Sequence, residues 1–320
     1  MQEQHVLIGI DLGGTNVRAG AITSGGELIT ASELPIDAAR GPEAGLETIE
    51  RLIHQVVLES GREVAAIGIG STGPIDRVHG LINNPYTLPG WNQVDIINPL
   101  RARYQVPVAF ENDADAAALG EAWIGAGRGV SRLFMLTIGT GVGTAFIVDG
   151  TIYRGLGGEH PEGGHIPIDP LGPACYCGGK GCLESLISGP AIAQRAERAA
   201  RDDRQGYLAE RLQAHGAFDA RMVFDGARQG DAECSRIVAE IADHLARGLA
   251  SIFMLLLPDR VLLTGGVTHS FDLLAGPLRR SLEKYNVIIP AASVDIRLAD
   301  LGQKAGIFGA ARAAHLLLDR

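Results

Sequence analysis

His165, Cys175, Cys177 and Cys182 follow the spacing H-x9-C-x-C-x4-C, and Gly178, Gly179 and Gly181 lie among the thiols. Three soft thiolates and one imidazole are the donor set of a closed tetrahedral structural zinc site, and glycine allows the tight turns that such a site needs. The competing account, reduced cysteines packed as small hydrophobes, suits a core better than the polar, irregular stretch of residues 155–181. The remaining cysteine, Cys234, stands alone, a distribution unlike the even framework of a disulfide-stapled secreted domain. A metal here would fix Glu162 at one end of the loop and Glu184 just after Cys182, where both carboxylates could accept hydrogen bonds from sugar hydroxyls. His160, separated from Glu162 by Pro161, reads as a solvated loop histidine.

Glu111-Asn112-Asp113-Ala114-Asp115 sets three carboxylates where an apolar run becomes a helix-forming one. Acidic residues there cap a helix and complement its dipole, worth about 1 kcal/mol; alternatively Asp113 accepts the proton of a substrate hydroxyl while Asn112 orients that substrate. Two glycine turns, Asp11-Leu12-Gly13-Gly14-Thr15 and Gly139-Thr140-Gly141-Val142-Gly143, each follow an apolar run. A turn of this kind lets backbone N–H groups approach an anion with no Cβ in the way, though any one of them is equally a tight hairpin. Their recurrence at matching places favours phosphate cradles, with Gly265-Gly266 after residues 261–263 placed to carry an adenosine end. Asp11 would hold hydrated Mg²⁺ against the transferred phosphate, or else simply cap its turn. No G-x-x-x-x-G-K-[ST] occurs, and Gly68-Ile69-Gly70-Ser71-Thr72-Gly73 is followed by Pro74, Asp76 and Gly80 instead of the helix that a dinucleotide fingerprint requires.

The elements that must position these residues follow from periodicity. Residues 6–10, 17–22 and 27–34 read as a β-meander, a helix runs from Pro42 to the stop at Gly61, and residues 64–70 read as a buried strand. Residues 94–104 look helical, 106–110 form a short strand, and 113–125 a helix, so Asp113 sits at a strand-to-helix junction. From Leu133 the opening pattern returns, and residues 8–22 align with 136–148 as strand, glycine turn and strand, an internal duplication. Helical patterns cover residues 190–201, 220–228, 231–257 and 304–318. A chain of 320 residues with 46% apolar content suits two domains, and a net charge of −9 argues against a nucleic-acid-binding face. No stretch reaches the roughly 20 apolar residues of a membrane span, and residues 1–5 lack a signal-peptide pattern. A soluble, cytoplasmic protein is expected.

These motifs together resemble the ROK family, named for repressors, open reading frames and kinases. The resemblance rests on Ile8-Gly9-Ile10-Asp11-Leu12-Gly13-Gly14-Thr15, Glu111-Asn112-Asp113, Gly139-Thr140-Gly141-Val142-Gly143, Glu162-Gly163-Gly164-His165, Cys175-Tyr176-Cys177-Gly178-Gly179-Lys180-Gly181-Cys182-Leu183-Glu184 and Thr264-Gly265-Gly266-Val267. It implies an actin-like (ribonuclease H-like) duplicated two-domain α/β fold with ATP and sugar in a central cleft. The small domain would comprise residues 1–112 and the C-terminal helix 303–320, and the large one residues 113–302 with the zinc loop 155–184. Asp113 is then the catalytic base. Asn112, Glu162, His165 and Glu184 are the implied sugar contacts, with Gly73 and Asn84 adding two from the small domain and His165 serving both sugar and zinc. Asp11, Gly13, Gly14, Thr15, Thr140, Gly141, Gly143, Gly265 and Gly266 would surround ATP and its Mg²⁺.

The chain departs from the family pattern at two places. Asp115 stands where the family's acidic motif often has a second Asn, and His160-Pro161-Glu162 replaces the usual A-G-E. The H-P-E form is similar to fructokinases of the family, while C-x-C-G-x-x-G-C-L-E is similar to its glucokinases. The expected activity is phosphorylation of a hexose 6-hydroxyl, glucose first, with fructose or N-acetylmannosamine as alternatives, by a homodimer or homotetramer. A sugar-responsive repressor of the family would carry a helix-turn-helix ahead of the first glycine turn; here residues 1–7 precede Ile8, so a kinase is expected.

Overall fold

The computed structural model describes residues 4–285, 288 and 293–318. The chain divides into two compact units, one of Met1–Ser131, Phe146–Tyr153 and Ala299–Arg320, the other of Arg132–Ala145 and Arg154–Leu298. Among the described residues no helix is long and apolar enough to cross a membrane.

In the first unit β1 (His5–Leu12), β2 (Asn16–Ile22) and β3 (Leu28–Pro35) form the expected antiparallel meander. β4 (Glu63–Ser71) joins β1 in parallel and β8 (Val108–Asn112) joins β4 in parallel, giving the order β3-β2-β1-β4-β8. Helix α1 (Pro42–Ser60) starts with Pro42 in its first turn and stops at Gly61, whose φ of 63° suits a residue without a Cβ. Its buried stripe of Ile49, Leu52, Ile53 and Val56 packs in one core with Ile8, Ile10, Ile67 and Ile69 of the sheet. A smaller sheet of β5 (Ile75–Asp76), β6 (Leu81–Ile82) and β7 (Val94–Asp95) intervenes. The helix expected from residue 94 therefore begins later, as α2 (Ile97–Tyr104), because Asp95 Oδ1 accepts the N–H groups of both Ile97 and Asn98 and starts the helix there.

Helix α3 (Asp113–Ile124) follows β8 directly and packs on the C-terminal helix α10 (Ala305–Leu318). The two backbones meet at glycines: a Cβ on Gly309 would lie 1.5 Å from the Ala116 carbonyl oxygen. This packing keeps α3 in the first unit, where the sequence-based division at residue 112 had placed it in the second. Gly68 has a packing role as well, since a Cβ there would lie 1.7 Å from the Ala310 carbonyl oxygen of α10. The G-x-G-x-x-G run thus seats a helix on the sheet, and no helix opens after Gly73.

The second sheet runs β11-β10-β9-β12-β13, with β9 (Arg132–Ile138), β10 (Val142–Val148), β11 (Thr151–Ile152), β12 (Arg260–Thr264) and β13 (Asp295–Leu298). Each strand holds the place of its counterpart in the first sheet: β10 pairs antiparallel with β11 as β2 does with β3, and β12 runs parallel to β9 as β4 does to β1. The duplication read from residues 8–22 and 136–148 therefore extends to whole sheets. Among the described residues six α-helices belong to the second unit: α4 (Leu183–Ile187), α5 (Gly189–Asp202), α6 (Tyr207–His215), α7 (Ala220–Arg228), α8 (Ala232–Leu256) and α9 (Phe271–Tyr285). The sequence pattern indicates α5, α7 and α8 but passes over α4, α6 and α9.

Candidate active site

In the first unit the parallel register aligns the C-terminal ends of three strands. Leu12 pairs with Ser71, Ser71 pairs with Asn112, and the Thr72 N–H donates to the Leu12 carbonyl at 3.1 Å. Asp11, Gly73, Asn112 and Asp113 thus gather at one sheet end, where open α/β sheets bind ligands. Asn112 caps α3 by accepting the Ala114 N–H on Oδ1 at 2.9 Å, while its Nδ2 faces Gly73, where a Cβ would lie 3.1 Å away. Capping and substrate orientation use different atoms of one amide, so the two accounts of this motif are compatible. Asp113 follows at the first position of α3. Asp115 is wholly buried in the first turn of α3.

The first glycine turn joins β1 to β2 and is closed by the Gly13 N–H donating to the Asn16 carbonyl at 3.0 Å, leaving Gly14 and Thr15 at its tip. Asp11 lies opposite Arg18, whose Nη1 is 3.4 Å from Asp11 Oδ2. Burial raises the Asp11 carboxyl above its ordinary range, and Arg18 works against that rise. Asn84 is completely buried: its Nδ2 donates to the Thr72 carbonyl and to Thr87 Oγ1, and its Oδ1 accepts from the Tyr86 and Thr87 N–H groups. The Thr87 that it pins lies against Gly14, where a Cβ would come within 2.7 Å of the Thr87 carbonyl oxygen. Asn84 is thus hydrogen-bonded as a brace of the first turn, and its amide is already fully engaged.

In the second unit the Gly139 N–H donates across its turn to the Gly141 carbonyl at 2.9 Å. Thr140 and Gly141 N–H groups have no intrachain acceptor among the described residues. Gly143 lies inside β10, beyond the turn. Gly265, at φ 95°, brings the end of β12 against the end of β9, since a Cβ there would lie 2.5 Å from the Ile138 carbonyl oxygen. The result is a cavity of about 550 Å³ lined by Gly139, Thr140 and Gly266 together with Phe224, Asp225 and Arg228 of α7. The α7 wall carries no motif and escapes a reading by motif. Arg228 is held there by Ser270 Oγ at 3.2 Å and Asp272 Oδ1 at 3.0 Å.

The four ligand atoms of His165, Cys175, Cys177 and Cys182 lie within 4.8 Å of one another. Cys177 Sγ is 3.6 Å from Cys182 Sγ and Cys175 Sγ is 3.5 Å from His165 Nδ1. A tetrahedron with metal–sulfur bonds near 2.3 Å has edges of about 3.8 Å, so this donor set fits zinc. The loop is shaped for the arrangement: Gly178 N–H donates to the Cys175 carbonyl, Cys175 N–H to that of Gly179, and residue 181 must be glycine because a Cβ would lie 1.7 Å from the Asp169 carbonyl oxygen. Burial and the neighbouring sulfurs push the Cys182 thiol up to about 12. A divalent cation among the four would reverse that preference by stabilising thiolates.

Tyr176 is a site residue that the sequence reading missed. Its hydroxyl is 3.1 Å from His165 Nε2 and its ring meets the imidazole edge-on, with centroids 5.1 Å apart. Nδ1 is turned to the thiols, so a metal bound there would leave Nε2 to carry the proton, with Tyr176 as its partner within the chain. The side chain of His160 is only 15% exposed, which corrects its reading as a solvated histidine: Nε2 lies 3.4 Å from Glu162 Oε1 and holds that carboxyl below its ordinary range. Glu184 reaches the second glycine turn, its Oε2 accepting the Val142 N–H at 2.8 Å.

The model of the ROK family matches residues 7–316. A glucokinase of Thermotoga maritima is 34% identical over 95% of this chain and 96% of its own. The crystal structure of a ROK hexokinase from Thermus thermophilus has a TM-score of 0.84 at 32% identity, covering 98% of this chain and 99% of that one. A ROK family glucokinase from Streptomyces griseus, solved with glucose and AMPPNP, has a TM-score of 0.76 at 30% identity, covering 97% and 99%. The duplicated α/β sheets and these likenesses place the fold in the actin-like class.

Proposed function

The chain belongs to the ROK family, and from that premise we propose that it is an ATP-dependent hexose kinase that phosphorylates the 6-hydroxyl of glucose. The observation that carries this reading is the cavity of the second unit, bordered by a glycine turn whose Thr140 and Gly141 N–H groups are open to an anion. Its volume of about 550 Å³ and its mixed wall of Phe224, Asp225 and Arg228 suit a nucleoside better than an extended polyphosphate. Asp113 takes the proton of the sugar hydroxyl as that oxygen bonds to the terminal phosphorus and the bond to the ADP oxygen breaks. Asn112 Nδ2 donates to a sugar oxygen, and Glu162 and Glu184 accept from other hydroxyls. Mg²⁺, when bound, neutralises charge on the transferred phosphate, and Asp11 is the carboxylate that would hold it. His165, Cys175, Cys177 and Cys182 would hold zinc, which takes no part in the chemistry and fixes the loop that presents Glu162 and Glu184. We read the chain as a dimer or tetramer.

Glucose is ranked first on the zinc-loop pattern and the glucokinase likeness. The His160-Pro161-Glu162 form, similar to that of fructokinases of the family, is the feature that favours fructose. A coupled ADP assay across glucose, fructose, mannose and N-acetylmannosamine distinguishes them. The expected result is the highest kcat/KM on glucose; a higher value on fructose or N-acetylmannosamine moves the assignment to that sugar, and equal ADP release without sugar contradicts a sugar kinase.

A further inference from the structure

We propose that Glu184 is a positioning residue for the nucleotide as well as a sugar contact, tying the metal loop to the phosphate-binding turn. The inference rests on the kinase reading for the identity of the ligands and on separate geometry for the coupling. Cys182, a metal donor, is the N-cap residue of α4, and Glu184 lies in the first turn of that helix. Between them Leu183 is wholly buried, donates its N–H to the Ile166 carbonyl at 3.0 Å, and packs on α8 at Gly248, where a Cβ would come within 2.8 Å of its Cδ2. The helix start is therefore immobilised on both sides of the peptide that leads into Glu184.

From this fixed base one short segment clasps the glycine turn twice. Glu184 Oε2 accepts the Val142 N–H at 2.8 Å, and the Gly189 N–H donates to the Gly139 carbonyl at 2.7 Å. Residue 141 must be glycine for the carboxylate to reach, because a Cβ there would lie 2.6 Å from Oε2. The N–H groups between the two clasps are those of Thr140 and Gly141, the ones open to an anion. A carboxylate beside a phosphate cradle is electrostatically unfavourable, so its use here points to holding geometry and not to attracting the ligand. Oε1 is left to accept a sugar hydroxyl, and one side chain then reports sugar occupancy to the turn that binds phosphate.

This role separates two substitutions. Glutamine retains an amide oxygen to accept the Val142 N–H and removes the negative charge, whereas alanine leaves a buried N–H without its acceptor. Calorimetric titration of the zinc-loaded protein with ADP is expected to show about a tenfold weaker Kd for Glu184→Ala. Glu184→Gln should bind ADP as tightly as the parent or more tightly, with bound zinc unchanged in both variants. Weakening by the same factor in both variants, or in neither, overturns the proposal; if the alanine variant does not fold, weakened ADP binding by the glutamine variant alone does so. ADP binding with this alanine–glutamine split in a parent protein that phosphorylates no hexose would overturn the kinase reading and leave the coupling standing. A parent protein that binds no ADP overturns both.

Discussion

Asp113→Asn is expected to lower kcat by about 10²- to 10⁴-fold, the range of a lost general base, while ADP and glucose bind within about twofold of the parent. The substitution is nearly isosteric, and the asparagine oxygen can still accept the Ala114 N–H that Asp113 Oδ1 accepts at 2.8 Å. The helix start also keeps its cap, since Asn112 Oδ1 independently accepts the same N–H. What is lost is the carboxylate proposed to take the hydroxyl proton. Steady-state kinetics paired with binding titrations separate the effects: near-parental kcat removes Asp113 from the base role, and a joint loss of binding makes it a structural residue.

The second large effect is expected at the thiols. Replacing Cys177 with serine removes one of four donors, and structural zinc sites of this type contribute several kcal/mol to folding. Elemental analysis should give one zinc per parental chain and little in the variant. The midpoint of thermal unfolding should drop by about 10 °C, and sugar affinity should fall because Glu162 and Glu184 lie at the two ends of the loop that zinc would fix. Parent protein without zinc that keeps full stability and full sugar affinity would show that the four residues serve some purpose other than metal binding.

The parts legible in the sequence are those with a local cause. Strand, glycine turn and strand repeat within each half, and the four-donor cluster lies within a single loop, so periodicity and spacing report both. The strand-to-helix junction at Asp113 is legible for the same reason. Helix α9 is hidden because Pro277 lies inside it beside Gly276, both read as breakers from sequence alone. Strand β13 is short and charged, and its Asp295 and Arg297 gain meaning only through the pairing of Asp295 with Arg260 of β12. Tertiary contacts account for the rest. Nothing local marks Phe224 as a cavity wall, Asn84 as the brace behind Gly14, or Glu184 as the acceptor for an N–H group 42 residues away. His160 is misread in sequence because a loop position suggests exposure, whereas the fold turns the imidazole onto Glu162.

Phosphorus NMR of the purified protein with equimolar Mg-ATP and glucose follows phosphate transfer to the sugar alcohol itself. The expected result is loss of the terminal phosphate resonance of ATP with matching growth of ADP and a sugar 6-phosphate, and no change when glucose is left out. Growth of inorganic phosphate in place of the sugar ester, or an unchanged spectrum with every hexose supplied, would contradict it.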